Sequence, residues 1–244
     1  MEIVSSKLFD QFPELVFGMS TVDGGVSHEK FGLNLSYHVG DVAENVEENR
    51  KRFFSSLGIQ ESRIAFTQQT HSSTTVVVNA PGKYPDSDAL IARHNGLFLA
   101  VSAADCTPVM FYDPDTGTIG GIHAGWKGTS LRIVENALHT AMTNFSVDSS
   151  NLYVFIGPSA GQCCYEVGED VARRFPPECV KFLSTAKYLL DVKKANYLQL
   201  LECGVRSDRI EIHPDCSIHN QKYHSHRRDG KRSGRMMAVI GLKK

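Results

Sequence analysis

Three side chains in this sequence, His71, Cys106 and His123, are of the types that hold a metal ion, and they lie 35 and 17 residues apart. Neutral imidazole and thiolate donors suit zinc, and copper is the alternative. The spacing is not the C-x-x-C pairing of a structural zinc finger. Ligands drawn singly from separate segments fit a catalytic centre, where three protein ligands leave a fourth position to water or substrate. Two other readings use the same residues. A cysteine among apolar strand residues is most often a small buried hydrophobe. Alternatively, Cys106 and His123 form a thiolate–imidazole pair for nucleophilic catalysis, as in cysteine hydrolases, with Asp105 orienting the histidine. His71 separates the two chemical readings, because a hydrolase needs no second imidazole and a metal centre does.

A second chemistry is anion binding. Residues 223–235 concentrate positive charge in a chain whose formal net charge is -1. Such runs are usually solvated turns. Arginine, however, offers a planar fork of donors that matches phosphate or carboxylate, so Arg227 and Arg228 are candidate phosphate ligands and Arg50 a third. The adjacent Cys163 and Cys164 are expected to point apart and to be structural. His28, His94 and His139 read as surface or local hydrogen-bonding groups.

The elements that must position these residues are short strands. Residues 97–103, 107–112 and 118–124 are apolar runs too short for most helices and are separated by Asp-Pro-Asp and by turns, the pattern of buried strands. Cys106 opens the second run and His123 closes the third. His71 falls in a turn between β-rich stretches at 63–69 and 74–78, and 88–92 is a further strand. Residues 14–20 read as a first strand. A helix is expected over 41–57, with Asp41 as its N-cap, Glu44 completing a capping box, and Gly58 as its stop. Leu131, Val134, Leu138, Ala141 and Phe145 repeat at helical spacing. A strand at 152–156 follows, then a glycine-rich loop at 157–168. A helix starts at Asp191 with Ala195, Leu198 and Leu201 inward and ends at Gly204. Late strands lie at 209–212 and 236–240.

Composition bounds the class. The 244 residues are 41% hydrophobic and 22% charged, as in a folded globular protein. The near-neutral charge argues against a general nucleic-acid binder. There is no apolar run of membrane-spanning length and no secretory pattern at the start, so a cytoplasmic protein with reduced thiols is expected. The six cysteines are not read as a disulfide framework. With no repeat and no long linker, 1–244 is expected to be one domain. Hairpin-like and helix-separated strands together suggest α/β with mixed sheets. Neither a G-x-G-x-x-G nor a Walker sequence is present.

The motifs fall in one order: G-G-V-S at 24–27, L-N-L at 33–35, H-V-G-D at 38–41, N-R at 49–50, His71, D-A-L at 88–90, A-D-C-T-P at 104–108, H-A-G-W-K-G at 123–128, G-P-S at 157–159, C-C-Y-E-V-G at 163–168 and R-R-D-G at 227–230. In this the chain resembles the YfiH-like family, also called the laccase-domain or polyphenol oxidase family, from about Phe17 to Ile240. The resemblance implies an α-β-β-α sandwich and a metal-dependent purine nucleoside phosphorylase with accompanying adenosine deaminase activity. It implies zinc on His71, Cys106 and His123, and purine nucleosides with phosphate as substrates. Adenosine, inosine and methylthioadenosine are the nucleosides expected. Arg50, Arg227, Arg228 and Asn34 are the substrate and phosphate contacts it suggests, in a monomer or homodimer. A copper-dependent oxidase of phenols and a peptidoglycan-precursor editing role are the alternatives. Four positions depart from the family pattern: Val22 and Lys127 stand where it has arginine, and His224 and His226 where it has aromatics.

Overall fold

The run that begins at Phe98 is apolar without alternation because both of its faces are buried. Leu99, Val101 and Ala103 enter one core, and Phe98 and Ala100 enter another on the opposite side. The computed structural model describes residues 1–28 and 30–243. In chain order the elements are β1 (Ile3–Val4), β2 (Leu15–Ser20), α1 (Ala43–Ser56), β3 (Ile64–Thr67), β4 (Thr75–Val77), β5 (Gly82–Tyr84), β6 (Ala89–Ala92), β7 (Phe98–Ala103), β8 (Thr107–Asp113) and β9 (Thr118–Ala124). They continue as α2 (Trp126–Ser130), α3 (Ile133–Phe145), β10 (Tyr153–Ile156), β11 (Glu166–Gly168), α4 (Glu169–Ala172), β12 (Val180–Ser184), β13 (Lys187–Leu190), α5 (Val192–Glu202), β14 (Ile210–Ile212), α6 (His226–Asp229) and β15 (Met236–Leu242).

Two mixed sheets form the centre, in the orders β1-β2-β15-β7-β3-β5 and β14-β10-β8-β9-β6-β4. Met19, Leu99, Val101, Met236 and Ile240 from the first meet Leu90, Met110, Ile119 and Phe155 from the second in one apolar layer. Phe53 and Phe54 of α1 cover the outer face of the first sheet. Val134, Leu138 and Ala141 of α3, with Leu200 of α5, cover the second. This is the α-β-β-α layering that the family resemblance implies. At Gly120 of β9 the Phe111 ring occupies the place of a side chain, since a Cβ there would lie 2.0 Å from Phe111 Cε1.

Several expected elements shift. Asp41 does not cap α1. Its Oδ2 accepts from Ser27 Oγ at 2.7 Å and Asn34 Nδ2 at 2.9 Å, and the helix starts after Val42 without a side-chain cap. The helical repeat from Leu131 to Phe145 is broken. Arg132 takes a left-handed conformation, so Leu131 falls outside α3 and is exposed. On α5, Asp191 caps through Lys194 N as expected, but the buried face runs through Val192, Ala195, Asn196, Gln199 and Leu200. A third sheet, β11-β13-β12, was not anticipated from the sequence.

Candidate metal centre

Connectivity places the three donors on one rim. His71 lies between β3 in the first sheet and β4 in the second, and Cys106 between β7 in the first and β8 in the second. His123 is in β9, opposite Pro108 of β8. The ligating atoms of His71, Cys106 and His123 all lie within 4.8 Å of one another. Cys106 Sγ is 3.7 Å from His71 Nε2. A tetrahedral ion with Zn–S of about 2.3 Å and Zn–N of about 2.0 Å requires an S···N edge of about 3.5 Å, so this donor set fits zinc. Backbone strain marks the spot: His71 has φ 60° and Asp105 φ 85°, left-handed values that non-glycine residues rarely adopt. Gly125 closes the floor. A Cβ there would sit 2.9 Å from Cys106 Sγ and 3.1 Å from His71 Cδ2.

One buried carboxylate organises two donors. Asp88, just before β6, accepts from the amides of His71 and Ser72 at 3.1 and 2.7 Å and from Ser72 Oγ at 2.7 Å. Its Oδ1 also bonds His123 Nδ1 at 2.8 Å. With the proton on Nδ1, the lone pair of His123 Nε2 is left for an ion, the usual arrangement behind a metal-bound imidazole. Asp105, expected to orient the histidine, does something else: it accepts from Ser217 Oγ at 2.7 Å and from the Arg227 amide at 2.6 Å. In the sequence Asp88 stands only as the first residue of the D-A-L motif at 88–90, with no role attached, and only the fold brings it to both histidines.

Burial would push the Cys106 thiol up, but the charge of His123 and hydrogen bonds from His123 and His71 hold it down at about 6. Burial would likewise lower His123, and the Cys106 and Asp88 charges instead raise it to about 9. Burial opposes ionisation of Asp88 too, yet its bonds from His123 and Ser72 keep the carboxyl well below the usual range. The thiolate is thus favoured, which is the donor state a cation needs, whereas His123, held as imidazolium, releases its Nε2 proton when an ion binds.

Above the triad is a cleft of about 740 Å³ walled by Trp126, Tyr165, His226, Arg227 and Arg235, a size suited to a small-molecule ligand. Trp126 and Tyr165 rest on the apolar cluster of the third sheet. Burial pushes the Tyr165 hydroxyl up to about 12, so it stays protonated. The Arg227 guanidinium lies 5.1 Å over the Tyr165 ring. Arg235, which closes the basic run but was not singled out in it, donates to the Ser233 and Gly234 carbonyls through Nη1.

The other expected anion contacts are not in this cleft. Arg50 is buried, pairs with Glu61 at 2.6 Å, donates to the Leu35 carbonyl at 3.0 Å and stacks on Phe66 at 4.5 Å. Arg228 is saturated by the carbonyls of Ser217, Ile218 and Tyr223 and by Asp229. Asn34 is fully buried and ties Ser36, Asp41 and the Arg235 amide together. All three were singled out for their charge or motif, and each is instead committed to holding loops. Among the departures, Lys127 is exposed with its ammonium 5.7 Å from the Trp126 ring. Val22 pairs through its backbone with Lys222 and Leu33. His226 faces the cleft, whereas His224 is buried with Nε2 unpartnered among the described residues. Cys163 and Cys164 do not diverge as expected. They sit in a turn closed by Cys164 N to Gly161 O at 3.0 Å, where successive side chains rotate by roughly 100° rather than alternating.

Residues 16–243 match the family described as "Multi-copper polyphenol oxidoreductase laccase". A relative from Geobacillus stearothermophilus named purine nucleoside phosphorylase YlmD is 35% identical over 249 residues, covering 94% of this chain and 91% of the relative. One from Bacteroides thetaiotaomicron named purine nucleoside phosphorylase is 31% identical over 245 residues, covering 93% and 91%. The crystal structure of YlmD from Geobacillus stearothermophilus superposes with a TM-score of 0.92 at 34% identity, covering 98% of this chain and 94% of that one.

Proposed function

The chain belongs to the multi-copper polyphenol oxidoreductase laccase family, whose YfiH-like members it resembles throughout, and from that membership we propose that it is a zinc-dependent purine nucleoside phosphorylase that also deaminates adenosine. The observation that carries the reading is the convergence of three donor atoms beneath a cleft bordered by two arginines. The choice of purine nucleosides rests on the names of the relatives. Adenosine, inosine and methylthioadenosine are the substrates proposed.

In phosphorolysis an oxygen of phosphate bonds to the anomeric carbon, the bond from that carbon to the purine nitrogen breaks, and the electron pair leaves with the base. The transition state is oxocarbenium-like, by analogy with other glycosyl transfers. Arg227 and Arg235 hold the phosphate and lower the cost of bringing an anion to the cleft. Trp126 and Tyr165 supply apolar and aromatic surface for base or sugar. Asp88 keeps the proton of His123 on Nδ1, and Gly125 leaves room for the thiolate beside His71. His71, Cys106 and His123 would hold a zinc ion, which would supply Lewis-acid chemistry to either reaction. Deamination adds water and releases ammonia, giving inosine without phosphate.

A copper-dependent oxidase of phenols is the second reading, favoured by the description of the matching family. One assay separates them. Purified zinc-loaded protein with adenosine should give adenine and ribose 1-phosphate only when phosphate is added, and inosine with or without it. Cys106→Ala should abolish both products. Oxygen uptake with a phenol by copper-loaded protein, and no nucleoside product with either metal, would replace the phosphorylase reading by the oxidase.

A further inference from the structure

A second group of donors lies outside the cleft. Cys163, Cys164, Cys216 and His219 have all four ligand atoms within 4.8 Å of one another. Both vicinal sulfurs are 3.6 Å from His219 Nδ1. That is close to the S···N edge of a tetrahedron with Zn–S of about 2.3 Å and Zn–N of about 2.0 Å. The Gly161 amide donates to Cys216 Sγ at 3.1 Å. Backbone donors of this kind stabilise a ligating thiolate. Gly161 is pressed against the group, since a Cβ there would lie 3.3 Å from Cys216 Sγ and 3.4 Å from Cys163 Sγ. All six cysteines are free thiols, so the sulfurs are available as ligands.

We propose that Cys163, Cys164, Cys216 and His219 form a second, structural zinc site, distinct from the triad. Three thiolates and one imidazole complete a tetrahedron with protein atoms alone, which leaves no position for substrate. The donors come from two segments that meet at the parallel bridge of Ser159 with Cys216. One segment continues into Tyr165. The other carries Ser217, which bonds Asp105 beside the triad cysteine. Lys193 pins the approach to Cys216 by donating to the carbonyls of His213 and Asp215 at 2.8 and 3.0 Å. The ion therefore staples the two loops that carry one wall of the cleft. The soft donor set favours zinc over a hard cation, because thiolates do not select magnesium or calcium.

The test is a metal count that requires no substrate, so its outcome is independent of the phosphorylase reading. Full-length protein, stripped by a chelator under reducing conditions, is titrated with cobalt(II) as a spectroscopic stand-in for zinc. Wild type should take up two equivalents, one for each donor group. Cys106→Ala should keep one equivalent. Its thiolate-to-cobalt absorption should be about three times as intense per metal as that of the Cys163→Ser/His219→Ala double variant, since three sulfurs ligate in one case and one in the other. The two changes in the double variant are at exposed residues, so the fold is expected to survive them. A single equivalent in wild type with one-thiolate intensity would overturn the proposal, as would a Cys163→Ser/His219→Ala protein that still binds two. Should a variant fail to fold, the wild-type stoichiometry and intensity decide the question alone.

Discussion

Asp88 touches the turn that carries His71 and the ring of His123, so one side chain governs two of three donors. Asp88→Asn keeps the size but removes the charge that favours the Nδ1 proton. Zinc affinity measured by competition with a chelator should fall by about 10- to 100-fold, the usual effect of losing such a partner. An unchanged affinity would show that the carboxylate holds the turn and nothing more. The arginines divide in the same way. Arg227→Ala or Arg235→Ala should raise the KM for phosphate by about 10-fold or more, because each removes a charged donor. Arg50→Ala should leave that KM alone and lower the thermal midpoint, since its partners are Glu61, Leu35 and Phe66. Cys106 and His123 could be found in the sequence because each stands at the end of an apolar strand. Asp88 stood in the D-A-L motif and Arg235 in the basic run, but their roles could not be read there, because those roles depend on contacts between segments far apart in the chain.

At the scale of elements, the short helix α6 and its flanks carry a pH-sensitive group. Burial holds His224 down at about 4, against an ordinary value of 6.5, with the nearby charge of Arg235 adding to the effect. The Gly234 backbone packs on the ring, where a Cβ would lie 2.7 Å from Nε2, so a new partner cannot enter. The unfolded chain binds this proton more readily than the folded one. Stability is therefore complete above about pH 6.5 and declines as pH falls towards 4, by roughly 3 kcal/mol in total. Replacing the group with His224→Phe should flatten that part of the curve in urea unfolding at pH 7, 6 and 5. A curve that kept its slope would assign the acid lability to other groups. The strands β7, β8 and β9 were legible as apolar runs. The third sheet was not: in β12, Phe182 and Leu183 are exposed, so neither an alternating nor a continuous apolar pattern announces it. That sheet nevertheless supports Trp126 and Tyr165, so the part of the site it governs was hidden with it.

For the whole molecule, the family resemblance implied the layered architecture, while the pattern of strands and helices reached only α/β with mixed sheets. What the order of motifs does not convey is that the chain passes from the first sheet to the second at both His71 and Cys106. The chain also crosses between the sheets at 78–81, 85–88, 93–97 and 213–235, and between these crossings the sheets meet through apolar side chains. At this rim two covalent strands span the gap, and an ion shared with His123 of β9 would lock them like a clasp. Loading with zinc should therefore damp opening of the molecule at one end only. Amide hydrogen exchange across residues 67–75 and 103–107 should slow by about 10-fold or more, as expected when a ligand binds only the closed form. Exchange in the pairing of β2 with β15 should be untouched. Uniform slowing throughout the chain would mean that the ion steadies the whole fold, and no change at the rim would mean that it bridges nothing. A localised effect would mean that the same atoms that face the cleft also hold this rim of the sandwich shut.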